Sequence, residues 1–296
     1  MDSIPAETLI LDPPAAGGEP PASRRPFHTI RPMRGWVALD LLEIWRFRDL
    51  LLALAGRDVK LRYKQTALGV VWVVLQPLMA AGIFSFVFGK VAKMPSDGIP
   101  YFIFSYAGLL GWNLFSSVTT KVGGSLVGNA HLISKVFFPR LILPLSSIAS
   151  SLLDFSVASG MLAALMGIYH VAPSWGLLLL PVWIALLLTL ATGVGLFATS
   201  LMVSYRDVGY VLPVAMQILL YACPIAYSVS AVPERLRIWY NLNPLSPVFE
   251  AIRWSIFGVG TATVAALCSS AFIAVVVLLL GVFSFKRMER KFADVI

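Results

Sequence analysis

Residues 175–203 read WGLLLLPVWIALLLTLATGVGLFATSLMV, 29 positions without a single Asp, Glu, Lys, Arg or His. A bilayer's hydrocarbon core is about 30 Å thick and takes about 20 helical residues to cross, so this run is suited to lipid rather than water. Working outward, five more apolar stretches pass the same length test: 68–89, 101–119 and 141–169 before it, 208–229 and 262–285 after it. In lipid every backbone N–H and C=O must be satisfied within the chain, which leaves helices and closed barrels. Long apolar runs without polar alternation are helical. The expectation is an all-α polytopic membrane protein with six transmembrane helices.

Composition agrees, since 58% of the 296 residues are hydrophobic and 13% are charged. The net charge of +8 raises the question of a nucleic-acid partner, but the placement of the charges answers it. Ten of the 23 Lys and Arg precede residue 68 and four lie in KRMERK at 286–291. With both termini cytoplasmic, Lys121, Lys135, Arg140 and Arg206 also fall inside, giving eighteen cations inside against five outside. Retained positive charge sets topology, so six spans with both ends in the cytoplasm is the expected arrangement. Basic clusters beside a membrane serve as topology determinants and anionic-lipid contacts, and no nucleic-acid partner is expected.

Three regions are expected: a tail at 1–35, an interfacial segment at 36–66 and a membrane domain at 67–296. The first 26 residues are rich in Pro, Ala and Gly and lack the apolar core of a secretory signal, so the tail is expected to be disordered and cytoplasmic. Leu41, Ile44, Trp45, Leu51, Leu52 and Ala55 recur at helical spacing among Asp40, Glu43, Arg46 and Asp49. This pattern predicts an amphipathic helix lying in the cytoplasmic interface. The basic strip Arg57, Lys60, Arg62 and Lys64 follows it into the first span.

Between the second and third spans, KVGGSLVGNAHLISKVFFPR at 121–140 is too polar to span and too apolar to be a free loop. A short helix against the inner face is expected there, bearing Lys121, Asn129, His131 and Lys135. Between the fifth and sixth spans, ERLRIWYNL at 234–242 and SPVFEAIRWSIF at 246–257 are short, amphipathic and bounded by prolines. Re-entrant helices are tolerated where they pack on protein or line a watery cavity. These two are therefore candidate outer gate helices, carrying Arg237, Trp239, Tyr240, Glu250, Arg253 and Trp254. Rings crowd the first, second and fifth spans. Some belong to interfacial belts, and Trp72, Phe84, Phe88, Tyr106, Trp112, Tyr221 and Tyr227 are the candidates for a path along which flat sugar faces slide with weak, repeated grip.

Equally informative is the chemistry that is missing. No GxxxxGK[ST] phosphate loop occurs, and neither HExxH nor GxSxG is present. No catalytic or metal-ligating set is expected. Cys223 and Cys268 have neither CxxC nor metal spacing. Asp154 is the one carboxylate well inside a predicted span, where an ionisable group is a functional candidate by default. Ser150, Ser151 and Ser156 beside it offer the alternative of an acid held by hydroxyls.

Three strings, RDVKLRYKQTALGVVWVVLQPL at 57–78, NAHLISKVFFPRLILP at 129–144 and NPLSPVFEAIRWSIFG at 243–258, resemble the permease subunits of type-2 ABC exporters that move lipid-linked polysaccharide. The O-antigen permeases are the nearest in character, with capsule and teichoic acid permeases beside them. The resemblance runs from about residue 36 to the end. It implies a homodimer in the bacterial inner membrane, paired with two copies of a separate ATPase subunit that binds ATP and Mg. It also implies that 41–55 is the interface helix, 121–135 the coupling helix and 228–257 the pair of periplasmic gate helices. Arg57, Lys60, Arg62 and Lys64 would then attract the pyrophosphate of an undecaprenyl-linked polysaccharide. An ABC exporter of a drug or small lipid, or a membrane enzyme using Asp154 or His131 on glycans, are the competing readings.

Overall fold

The structure, a computed structural model, describes residues 41–64, 69–133, 135–229, 233, 240, 242–260 and 262–289. The expected tail at 1–35 and most of the first expected gate helix, Arg237 and Trp239 included, lie outside the described residues. Among the described residues the regular structure is entirely helical.

The first described helices are α1 (Leu41–Arg46) and α2 (Arg48–Lys64). The basic strip is thus the helical second half of the interfacial segment rather than a linker after it. Helix α3 (Gly69–Phe84) continues into a wider π-helical stretch, Ser85–Val91. Then come α4 (Tyr101–Gly128), the four-residue α5 (Ala130–Ile133) and α6 (Ile142–Ile168). A 3-10 turn at Trp175–Leu179 leads into α7 (Leu180–Ser204). Ser174 caps that turn by accepting the Gly176 N–H at 3.2 Å, and Pro181 occupies the first turn of α7, where no helical donor is lost. Helices α8 (Val208–Ala222), α9 (Leu245–Phe257) and α10 (Val264–Glu289) complete the set. Gly258, at φ 76°, ends α9 by donating its N–H to the Trp254 carbonyl at 2.8 Å, a left-handed position suited to glycine.

Among the described residues, four helical segments are long and apolar enough to cross a membrane: Val71–Val91, Ile142–Ile168, Trp175–Ser204 and Val264–Glu289. The other two expected spans differ for separate physical reasons. Helix α4 has the length, 28 residues, but carries Gly, Ser, Thr, Asn and Lys along it. Most of its residues from Ile103 to Leu126 are buried, so much of its surface meets protein and has no need of a lipid-like composition. Helix α8 has the apolarity but only 15 residues, about 22 Å at the usual rise. It stops at Ala222 because Pro224 disfavours helical backbone in the residue before it.

The packing centres on α4 and α7. Helix α7 makes its broadest contacts with α10 and α4, while α4 also packs on α6, and α2 lies against α6. Backbones meet without intervening side chains where α7 crosses α10. A Cβ built on Gly193 would lie 2.6 Å from the Leu278 nitrogen, and Gly281 faces the Gly193 carbonyl. Small residues at helix crossings are the usual way to gain dispersion contact in lipid, where apolar burial alone drives no association. At the α4–α7 crossing Thr199 donates to the Val122 carbonyl at 2.7 Å. Past the end of α8, Ile225 and Ala226 are buried, and Gly108 of α4 leaves room for the Ile225 carbonyl, 2.6 Å from where a Cβ would stand.

Candidate functional site

Three helices converge on Asp154. Helix α6 carries the carboxylate, the end of α2 carries Arg62 and Tyr63, and α4 carries Lys121. Arg62 Nη2 lies 2.8 Å from Asp154 Oδ2, the Tyr63 hydroxyl donates to Oδ1 at 2.6 Å, and Lys121 Nζ sits 3.6 Å from Oδ2. The same ammonium donates to Ser150 Oγ at 2.8 Å, and Ser117 and Ser151 pair across α4 and α6 at 2.8 Å. The Asp154 side chain is 14% exposed, against 42% for Arg62. Burial, followed by the Asp154 hydrogen bond, pushes the Tyr63 phenol up to about 12. Its proton is therefore held at neutral pH and the phenol acts as a donor. This network fastens α2 to α4 and α6. Arg62 and Tyr63 lie in the last turn of α2, and both reach the one carboxylate.

Arg57 is turned the other way. Its guanidinium donates to Asp58 Oδ1 at 2.8 Å and to Asn129 Oδ1 at 2.9 Å, which ties α2 to the segment after α4. Lys60 and Lys64 are exposed. Together with Arg57, Gly56 and Leu61 they line a groove of 450 Å3 along α2. The four cations of the basic strip thus divide: Arg62 serves Asp154, Arg57 bridges two elements, and the two lysines present their ammonium groups outward.

The stretch expected to form a separate coupling helix is built otherwise. Helix α4 runs on through Lys121 to Gly128, and Asn129 links it to the single turn of α5. His131 and Lys135 are exposed beyond it.

A second cluster lies on α9. Glu250 and Arg253 are buried, at 5% and 2% exposure, with Arg253 Nη2 3.5 Å from Glu250 Oε1. The guanidinium also donates to the Tyr227 carbonyl at 3.4 Å and sits 4.6 Å from the centre of the Phe104 ring, within cation–π reach. Ser228 donates to Asp97 at 2.6 Å, and the hydroxyls of Tyr227 and Tyr240 pair. Trp254 is 39% exposed.

The aromatic candidates separate by environment. Tyr106 and Trp112 are buried in the core: the Tyr106 hydroxyl donates to the Ala158 carbonyl at 3.1 Å, and Trp112 packs between Phe115 and Phe249. Trp72 and Tyr221 are exposed, Phe84 and Phe88 stack edge to face at 5.6 Å, and Tyr227 is half-buried beside Arg253. Sequence reasoning missed Tyr63, Asp97 and Phe104 as partners. At Asp154 the sequence points to the hydroxyls beside it, whereas Arg62, Lys121 and Tyr63 from two other helices meet the carboxylate, and helix spacing gives no means of choosing a partner from another element.

A family model described as ABC-2 type transporter matches residues 49–257. The chain is 28% identical over 252 residues to an O-antigen export system permease protein RfbA of Klebsiella pneumoniae, covering 84% of this chain and 95% of that protein. It is 28% identical over 208 residues to the protein of that name from Myxococcus xanthus, covering 69% and 78%. It is also 27% identical over 211 residues to a polysialic acid transport protein KpsM of Escherichia coli, covering 68% and 78%.

Proposed function

Because this chain belongs to the ABC-2 type transporter family, we propose that it is the membrane permease of a polysaccharide exporter, most like those for O-antigen. The observation that carries the proposal is similarity over 95% of the length of an O-antigen export permease, which leaves little of that protein without a counterpart here. The cargo is an undecaprenyl-pyrophosphate-linked polymer, and the work comes from ATP and Mg bound on two copies of a separate ATPase subunit. The permease is a homodimer in the inner membrane with both termini cytoplasmic. Six spans arise when α4 and α8 join the four apolar segments. Apolar side chains exposed on α3, its π-helical continuation and α8, among them Trp72, Phe86, Tyr210 and Tyr221, are available to lipid and to a second copy.

Phosphate chemistry supports the cargo. The groove along α2 offers the outward Lys60 and Lys64 beside Arg57, and ammonium and guanidinium groups are the usual partners of phosphate oxygens. The test is reconstitution of this chain with its ATPase subunit in proteoliposomes, measuring nucleotide-dependent transport of lipid-linked glycan. Transport is expected to require both proteins and ATP. Equal transport with the ATPase omitted would overturn the reading.

A further inference from the structure

We propose that a cavity between α3, α4 and α6 is a subsite for one neutral sugar ring, held by the side-chain amides of Gln76 and Asn113. This deepens, and rests on, the polysaccharide reading above. The cavity measures 270 Å3 and is lined by Gln76, Asn113, Ser116, Ser117, Thr120 and Ser151, with Asp154 and Arg62 also on its wall. That is just under the roughly 300–1,000 Å3 of pockets for drug-sized ligands, which suits a single pyranose.

Ser117 and Ser151 pair with each other across this lining, but the polarity of Gln76, Asn113 and Thr120 has no internal explanation. Gln76 stands alone among apolar neighbours in VVWVVLQPLMAAG, and Asn113 interrupts the buried run LLGWNLF. Both side chains are exposed, as is Thr120, and none of the three hydrogen-bonds to protein among the described residues. An unpartnered amide facing hydrocarbon is costly, so these groups face water or a polar ligand. Pro77 adds another acceptor. Lacking an N–H, it leaves the Val73 carbonyl without its helical donor, and Val73 and Pro77 both line the cavity.

The chemistry selects the ligand class. Amides and hydroxyls donate and accept alike, as sugar hydroxyls do, while the ionic groups on the wall, Asp154 and Arg62, neutralise each other at 2.8 Å. Phe155 contributes an aromatic wall for the apolar face of the ring. Neutral hydrogen bonds exchanged against water hold each ring weakly, so a polymer can advance one residue at a time.

The test uses the full chain in a host lacking its own copy of the gene, reading surface glycan, cytoplasmic lipid-linked polymer and the amount of permease in the membrane. The double variant Gln76→Leu, Asn113→Leu is expected to lower surface glycan about tenfold, as two lost neutral hydrogen bonds would, at unchanged permease levels. Asn113→Ser, which keeps a donor and an acceptor, should largely restore export. Should the double variant not accumulate, Asn113→Cys in a Cys268→Ser background gives a second reading. In inverted membrane vesicles its reaction with a charged methanethiosulfonate is expected to slow when the vesicles come from cells making the polymer. Wild-type export by the double variant, or identical labelling with and without polymer, overturns the subsite and leaves the permease reading intact. Failure of the wild-type chain to restore any glycan removes both.

Discussion

Asp154 shows how one side chain decides the state of three others. Asp154→Asn preserves shape and the Tyr63 contact but leaves Arg62 and Lys121 as close like charges. The expected loss is about 1–2 kcal/mol, below the roughly 3–5 kcal/mol for a fully buried pair because water reaches Arg62. Tyr63→Phe removes one hydrogen bond and should cost about 1 kcal/mol. Thermal unfolding of the purified protein should rank Asp154→Asn below Tyr63→Phe, and the reverse order would show that Arg62 and Lys121 find solvent instead. On α9 the burial is deeper. Glu250→Gln strands an Arg253 that is 2% exposed, so about 3–5 kcal/mol should be lost. An unchanged unfolding temperature would mean that Phe104 and the Tyr227 carbonyl hold the guanidinium unaided.

At the scale of the element, glycine contacts set where helices can touch. Gly193→Ala forces a methyl against the α10 backbone, which cannot rotate away as a side chain can, and should destabilise by about 1–3 kcal/mol or more. Gly124, with nothing within 4 Å of a built Cβ, is the control. Gly124→Ala should be neutral or gain about 0.5–1 kcal/mol of helix stability. Expression level and monodispersity in detergent read the contrast. The sequence made long apolar helices legible because lipid imposes a length and a polarity on them. Helix α4 was legible as a helix but its centrality was not, since burial by protein and exposure to lipid leave similar apolar runs. Hydropathy gave 208–229 as one stretch, whereas Pro224 divides it. The coupling stretch reads as a separate short helix because 121–140 is too polar to span and too apolar for a free loop, yet α4 runs on through it to Gly128. Of the candidate site, Asp154 and the basic strip were visible and their pairing was not, because a contact between α2 and α6 leaves no periodic trace.

For the whole molecule, the division of the basic strip makes a directed test. Arg62→Ala would damage both the Asp154 network and any cargo contact, so the informative change is Lys60→Glu with Lys64→Glu, two side chains exposed on α2 and apart from that network. Export is expected to fall several-fold with unfolding temperature unchanged, a charge effect screened by salt at exposed positions. Full export would detach the groove from the mechanism. The glycine crossing of α7 and α10 has a further consequence for motion. Two backbones in direct contact cannot slide past one another by side-chain adjustment, so this pair behaves as a fixed post. Helices α3 and α8 are more loosely attached, and any swing that opens a passage has to be taken up there. A covalent staple across the post should leave turnover intact, while one pinning α8 to α4 should arrest it.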